Sequence, residues 1–148
     1  LERARHTFPF WEEAGLDPGS RSEEWLAGAL DLLEGRGRTF RELAEYTDYF
    51  LSFEAVKRRW SGEDIDGERS GALKGFFTAM LSFPSWKPEE LEVMAKAWCE
   101  GKGMKMKDVA MPLRWALTGR RVSPGVFHVA AFLGRDEVKK RLSHYGLA

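Results

Sequence analysis

Apolar side chains recur along this chain at intervals of three and four residues, and they nowhere alternate over a sustained stretch. That spacing gathers them on one stripe of an α-helix, whereas a half-buried strand needs a period of two. Trp25, Leu26, Ala29, Leu30 and Leu33 form the first stripe, behind Ser22 as N-cap and ahead of Gly35 as a stop. Thr39-Phe40-Arg41-Glu42 has the form of a capping box, after which Phe40, Leu43, Ala44, Tyr46, Tyr49 and Phe50 supply a second stripe expected to be buried. Leu73, Phe76, Phe77, Met80 and Leu81 make a third, ended by Pro84. Pro88-Glu89-Glu90 then opens a helix with acids where its dipole favours them, carrying Leu91, Met94, Ala95 and Trp98. Gly101 and Gly103 are expected to break the chain before a fifth pattern, Val109, Leu113, Ala116 and Leu117, which runs to Gly119. Pro112 should kink that helix or mark its true start. Ser123-Pro124 reads as an N-cap with proline at the first helical position, for a short helix through Phe132, and Gly134 separates it from a last one with Val138 and Leu142. The fold class is therefore all-α, without a sheet.

The weakest stretch is 61–70, where Gly62, Asp64, Asp66 and Gly67 cluster, and it is the expected boundary between a helical subdomain over 1–70 and another over 71–148. Its acids lack the ligand spacing and terminal glutamate of an EF-hand, so calcium is not expected. The 148 residues carry 23 Lys+Arg and 23 Asp+Glu, yet the balance conceals an asymmetry. Residues 1–74 hold 11 of the bases and 16 of the acids, and 75–148 the remaining 12 and 7, giving formal charges of −5 and +5. Lys102, Lys105, Lys107, Arg114, Arg120 and Arg121 face only Asp108 between 101 and 121, a local positive field suited to steering a polyanion. The longest nearly apolar stretch, 122–133, is interrupted by Ser123, Pro124, Gly125 and His128 and falls short of the about 20 residues that a membrane span requires. A lone cysteine and no signal-peptide pattern lead us to expect a cytoplasmic, reducing setting, and an opening Leu1 leads us to expect a piece of a longer protein.

Catalytic signatures are not found. His6, His128 and His144 stand at no metal-binding spacing from one another or from Cys99, which reads as a small core filler. There is no nucleophile elbow, no Walker loop and no dinucleotide fingerprint after a strand. Paired acids such as Glu12/Glu13, Glu23/Glu24 and Glu89/Glu90 sit at helix starts, where capping accounts for them. What remains are cations at element junctions: Arg36 and Arg38 in a glycine turn, Arg114 behind Pro112, and Arg120 and Arg121 before the Ser123–Phe127 start. Guanidinium groups give bidentate contacts to base edges and phosphates, and amides at a helix N-terminus bond anions or bases. A helical protein-interaction module using exposed aromatics is the alternative for such a chain.

Pro112-Leu113-Arg114-Trp115-Ala116-Leu117-Thr118-Gly119, then Ser123-Pro124-Gly125-Val126-Phe127, then Phe132-Leu133-Gly134-Arg135-Asp136-Glu137-Val138 with Arg141-Leu142, resembles in order and spacing the C-terminal part of bacterial glutamyl-tRNA synthetases. Gly35-Arg36-Gly37-Arg38-Thr39-Phe40-Arg41-Glu42-Leu43 is similar to that family's first anticodon-domain turn. The resemblance implies an all-α anticodon-binding region of two helical subdomains, of the helical-cage type. It would be joined to an N-terminal catalytic domain that would hold ATP and magnesium, so no cofactor, metal or catalytic residue is expected in this chain. The partner it implies is glutamate tRNA, bound by a monomer with no membrane. Arg36 matches the position that reads the third anticodon base, and Arg114 the one at the middle uridine. Lys96 matches a basic position, Arg in some members, that helps hold it. Ser123, Pro124, Val126 and Phe127 match the turn whose main chain and apolar side chains receive the first base. Arg38, Lys102, Lys105, Lys107, Arg120 and Arg121 are expected to contact phosphates. Trp98 and Trp115, both on apolar stripes, are expected in the core.

Overall fold

A computed structural model describes every residue except Asp66, so the acid of the 61–70 loop at that position lies outside the described residues. Among these residues the chain forms ten α-helices and one 3-10 turn, with no strand, as the periodicity predicts. In order they are α1 (Glu2–Glu13), the 3-10 turn Pro18–Ser20, α2 (Glu23–Asp31), α3 (Phe40–Tyr46), α4 (Asp48–Leu51), α5 (Phe53–Arg59), α6 (Ser70–Ser82), α7 (Pro88–Lys102), α8 (Met106–Thr118), α9 (Val126–Leu133) and α10 (Arg135–His144).

Packing divides the chain into two compact units, Leu1–Ala55 and Val56–Ala148, with the division inside α5 and ahead of the 61–70 loop. The loop goes with the second unit because its neighbour Trp60 is fastened there. Tyr145 Oη donates to the Trp60 carbonyl at 2.9 Å, and the Trp60 ring lies 4.5 Å from that of Tyr145 and 5.6 Å from that of Trp115. Trp60 Nε1 in turn donates to Asp64 at 2.9 Å, holding the loop. Counted over the two units, the charge asymmetry sharpens: the first has 6 Lys+Arg and 12 Asp+Glu, net −6, and the second has 17 and 11, net +6.

The first unit is built on α1, which packs against α2 and α3. Its core gathers Ala4, Trp11, Leu26, Leu30, Leu33, Leu43 and Ala44. The sequence reading missed α1, because Pro9 and the clustered aromatics Phe8, Phe10 and Trp11 mask its periodicity, and Glu12/Glu13 therefore close a helix where a helix start is expected; proline inside a helix costs a hydrogen bond that burial of Trp11 offsets. The helix from Thr39 is shorter than its stripe suggested. Buried Thr47 donates its hydroxyl back to the Leu43 carbonyl at 2.7 Å and accepts from Trp11 Nε1 at 3.1 Å, and the helix stops there before α4 begins. The break leaves Phe40 and Tyr46 each 38% exposed, whereas the stripe predicted them buried.

In the second unit α7, α8 and α9 pack on one another, α6 packs on α7, and α10 covers α8 and α9. Phe76, Phe77, Leu91, Val109, Leu113, Val129, Val138 and Leu142 fill its core. Pro88 opens α7 as predicted, but Gly101 stays helical and Gly103, at φ 65°, makes the stop. Pro112 lies buried inside α8 and does not start it; the start is fixed at Met106, where the Lys105 N–H donates to the Asp108 carboxylate at 2.9 Å.

Candidate nucleic-acid interface

The Arg36 turn is shaped by backbone before side chains. Glu34, Gly35 and Gly37 all have positive φ, at 50°, 84° and 90°, the last two being conformations that glycine adopts without penalty. The Arg36 N–H donates to the Leu33 carbonyl at 3.1 Å, closing the turn and holding the exposed Arg36 on its crest. A Cβ at Gly37 would lie 2.9 Å from Leu43 Cδ2 and 3.5 Å from Tyr46 Cδ2, so the turn rests directly on α3 and beside the half-open Tyr46 ring. The capping box is displaced by one residue: Thr39 Oγ1 accepts from the Glu42 N–H at 3.1 Å, but the Glu42 carboxylate reaches the Arg38 N–H, at 2.8 Å. The cap therefore fixes the main chain of Arg38 while its side chain stays exposed. Tyr46, like Phe40, is expected on the buried stripe and is left open by the structure.

In the second unit, Arg114 and Ser123 are brought together. Arg114 Nε donates to Ser123 Oγ at 2.9 Å, Arg114 Nη1 lies 3.2 Å from Met111 Sδ, and Ser123 Oγ donates to the Pro124 carbonyl at 2.7 Å. Ser123 is thus a clamp for the arginine and does not cap a helix. The helix start is a correction too: α9 begins at Val126 with Gly125 as its N-cap, because Ser123 Oγ is turned away to Arg114 and Gly125 supplies the backbone turn. Pro124 is buried, and Val126 and Phe127 are 4% and 6% exposed, so their side chains belong to the core and are not open to receive a base. The His128 and Val129 N–H groups donate to the Gly125 carbonyl at 2.9 and 3.1 Å, and the amides of this first turn lie at the positive end of the α9 dipole. Arg114 is half-buried, and the Asp108 carboxylate pairs with Arg69 at 2.8 Å. The Lys105 N–H and the Arg69 guanidinium hold the Asp108 carboxyl below the usual carboxylate range.

Lys96 is exposed on α7, and Lys102, Lys105 and Lys107 are exposed around the α7–α8 connection, with Lys102 Nζ 5.8 Å from the centre of the Trp98 ring. Arg121 is exposed and Arg120 half-buried on the 119–125 turn, where Val122 is 73% exposed. Trp98 and Trp115 are half-buried; Trp98 stands edge-on to Phe76 at 5.3 Å. Cys99 is buried, and burial raises its thiol pKa, as suits a filler. Among the described residues no group of three His, Cys, Asp or Glu could hold a metal, and no helix is long and apolar enough to cross a membrane.

Residues 2–145 of this all-α chain match the model of the anticodon binding domain, and the chain belongs to that family. Its relatives are glutamate–tRNA ligases. It is 31% identical over 141 residues to the glutamate–tRNA ligase of Thermus thermophilus, covering 95% of this chain and 30% of that protein, and 33% identical over 136 residues to glutamate–tRNA ligase 2 of Bartonella quintana, covering 88% and 29%. The chain thus spans under a third of the length of these relatives. The solved glutamate–tRNA ligase of Elizabethkingia meningosepticum superposes with a TM-score of 0.69 at 20% identity, over 95% of this chain and 29% of that one, and shows the same fold. Family membership favours nucleic-acid recognition over the protein-interaction alternative.

Proposed function

We propose that this chain is the tRNA-reading region of a glutamate–tRNA ligase and that it recognises the anticodon of glutamate tRNA. The observation that carries the reading is the Arg114–Ser123 hydrogen bond. It holds a guanidinium beside the turn that opens α9, a pairing suited to an unstacked RNA base and its phosphate. Arg36 takes the third base. Its guanidinium only donates, so it finds acceptors on the edge of cytosine but meets N–H groups on the pairing edge of guanine. Arg114, supported by Lys96, takes the middle uridine, and the main chain of 123–127 takes the first base. Lys96 supplies charge without the planar fork of arginine, so its share is electrostatic. Lys102, Lys105, Lys107, Arg38, Arg120 and Arg121 contact phosphates and make affinity fall with salt. ATP, magnesium and the ligation step belong to a catalytic domain joined to this one. A monomer acting in the cytoplasm completes the proposal.

The test is a fluorescence anisotropy titration at low salt of the chain into a labelled anticodon stem-loop of glutamate tRNA and into one with guanine as its third anticodon base. Tighter, salt-sensitive binding to the cytosine loop is expected. Equal binding to both by a folded, helical protein would refute anticodon reading.

A further inference from the structure

Two arginines with no assigned part in recognition close the C-terminal end of α8, where the last carbonyls lack helical partners and the dipole is negative. Arg59 Nη2 donates to the Thr118 carbonyl at 2.6 Å and Arg141 Nη1 to the Leu117 carbonyl at 2.7 Å. Arg141 is 2% exposed, so it cannot meet a phosphate, and its Nε donates to Glu137 at 2.8 Å. Thr118 Oγ1 donates to the Arg114 carbonyl at 2.7 Å and accepts the Arg120 N–H at 3.0 Å. Gly119 follows at φ 68°, and a Cβ there would lie 3.0 Å from the Val56 carbonyl and 3.2 Å from Arg59 Cβ. α5 and α10 therefore fix the exit of α8 from two sides, and the 119–125 turn starts from that fixed point and ends at the Arg114–Ser123 clamp.

We propose that Arg59 and Arg141 are positioning residues for anticodon recognition, which hold the 119–125 turn in the geometry that selects the first and middle bases. The inference rests on the tRNA reading above. A methionine in place of Arg59 would fill much of the same space without donating to the Thr118 carbonyl.

The experiment compares the wild-type chain with Arg59→Met and Arg141→Lys, the second keeping the charge of a buried site that the larger change could unfold. Hydrogen exchange is measured without RNA. Binding is measured to four stem-loops: the glutamate anticodon and single changes at its first, middle and third bases. Exchange across 119–125 should rise in both variants. The preference at the first and middle bases should fall about three- to tenfold, the scale of one or two hydrogen bonds, while the third-base preference stays unchanged. An equal loss at all three positions would show a merely structural role and overturn the proposal, as would unchanged exchange beside selective wild-type binding. Wild-type protein that binds none of the four loops overturns the tRNA reading and takes this inference with it, so the two failures are distinguishable.

Discussion

The two units hold the arginines proposed for recognition by opposite means. In the first, net −6, Arg36 stands on a turn whose form is set by glycine backbone resting on Leu43 and Tyr46. In the second, net +6, Arg114 is held by a partner side chain, Ser123, on a turn that also carries Arg120 and Arg121. A cation on an acidic body gains little from long-range attraction, so Arg36 is suited to choosing between bases. One in a positive field also shares in drawing the polyanion in. On the proposed reading, selectivity and affinity are weighted differently in the two units.

The comparison is broken most severely through the first core. Trp11→Ala removes a fully buried ring and its bond to Thr47, and we expect a loss of about 3–5 kcal/mol in urea unfolding. If the units fold separately, that loss falls on a transition that leaves the Trp60–Trp115–Tyr145 cluster of the second unit intact. Arg114→Ala should weaken stem-loop binding by about 1–3 kcal/mol. The log–log salt slope should also become shallower, by close to one charge. A salt slope identical to wild type would show that Arg114 meets the base without its phosphate. Gly37→Ala forces a side chain into φ 90° and against Leu43, and should cost about 1–2 kcal/mol of stability, read as a lowered melting temperature. Loss of third-base preference in the folded variant would show that the turn geometry aims Arg36.

The smallest effect is one of pH. Asp108 titrates below its ordinary value in the folded chain because the Lys105 N–H and Arg69 favour its charged form. Its contribution is therefore fully present above the unfolded carboxylate pKa of about 3.9 and is lost as pH falls through the folded value. Asp108→Asn should flatten that part of the acid unfolding curve, and an unchanged curve would show the carboxylate to be idle.

Most of the fold was legible because helical spacing and its punctuation are local. Ser22, Thr39, Pro88, Gly119 and Gly134 bound helices where the sequence places them. What escaped depends on contacts far along the chain. The hydroxyl of Thr47 ends α3 partly because Trp11 donates to it from 36 residues away, and Trp60 is drawn to the second unit by Tyr145 from 85 residues away. In the site, the cations could be named from their junction positions, but nothing local shows that Ser123 turns to Arg114 instead of capping α9. The burial of Val126 and Phe127 was hidden for the same reason, since an apolar residue at a helix start reads alike whether it faces a base or a core. Arg59 and Arg141 look like ordinary surface arginines until the carbonyls they meet, 59 and 24 residues away, are seen.

The most direct measurement is a cycle of stem-loop affinities for wild type, Arg36→Ala, Arg114→Ala and the double variant, each against loops changed at the third or the middle base. Separate reading by two units predicts that Arg36→Ala erases only the preference for cytosine over guanine, that Arg114→Ala erases only the middle-base preference, and that the double variant shows the sum. If either single variant weakens every loop by the same factor and leaves both preferences standing, the arginines supply charge alone and the account is wrong.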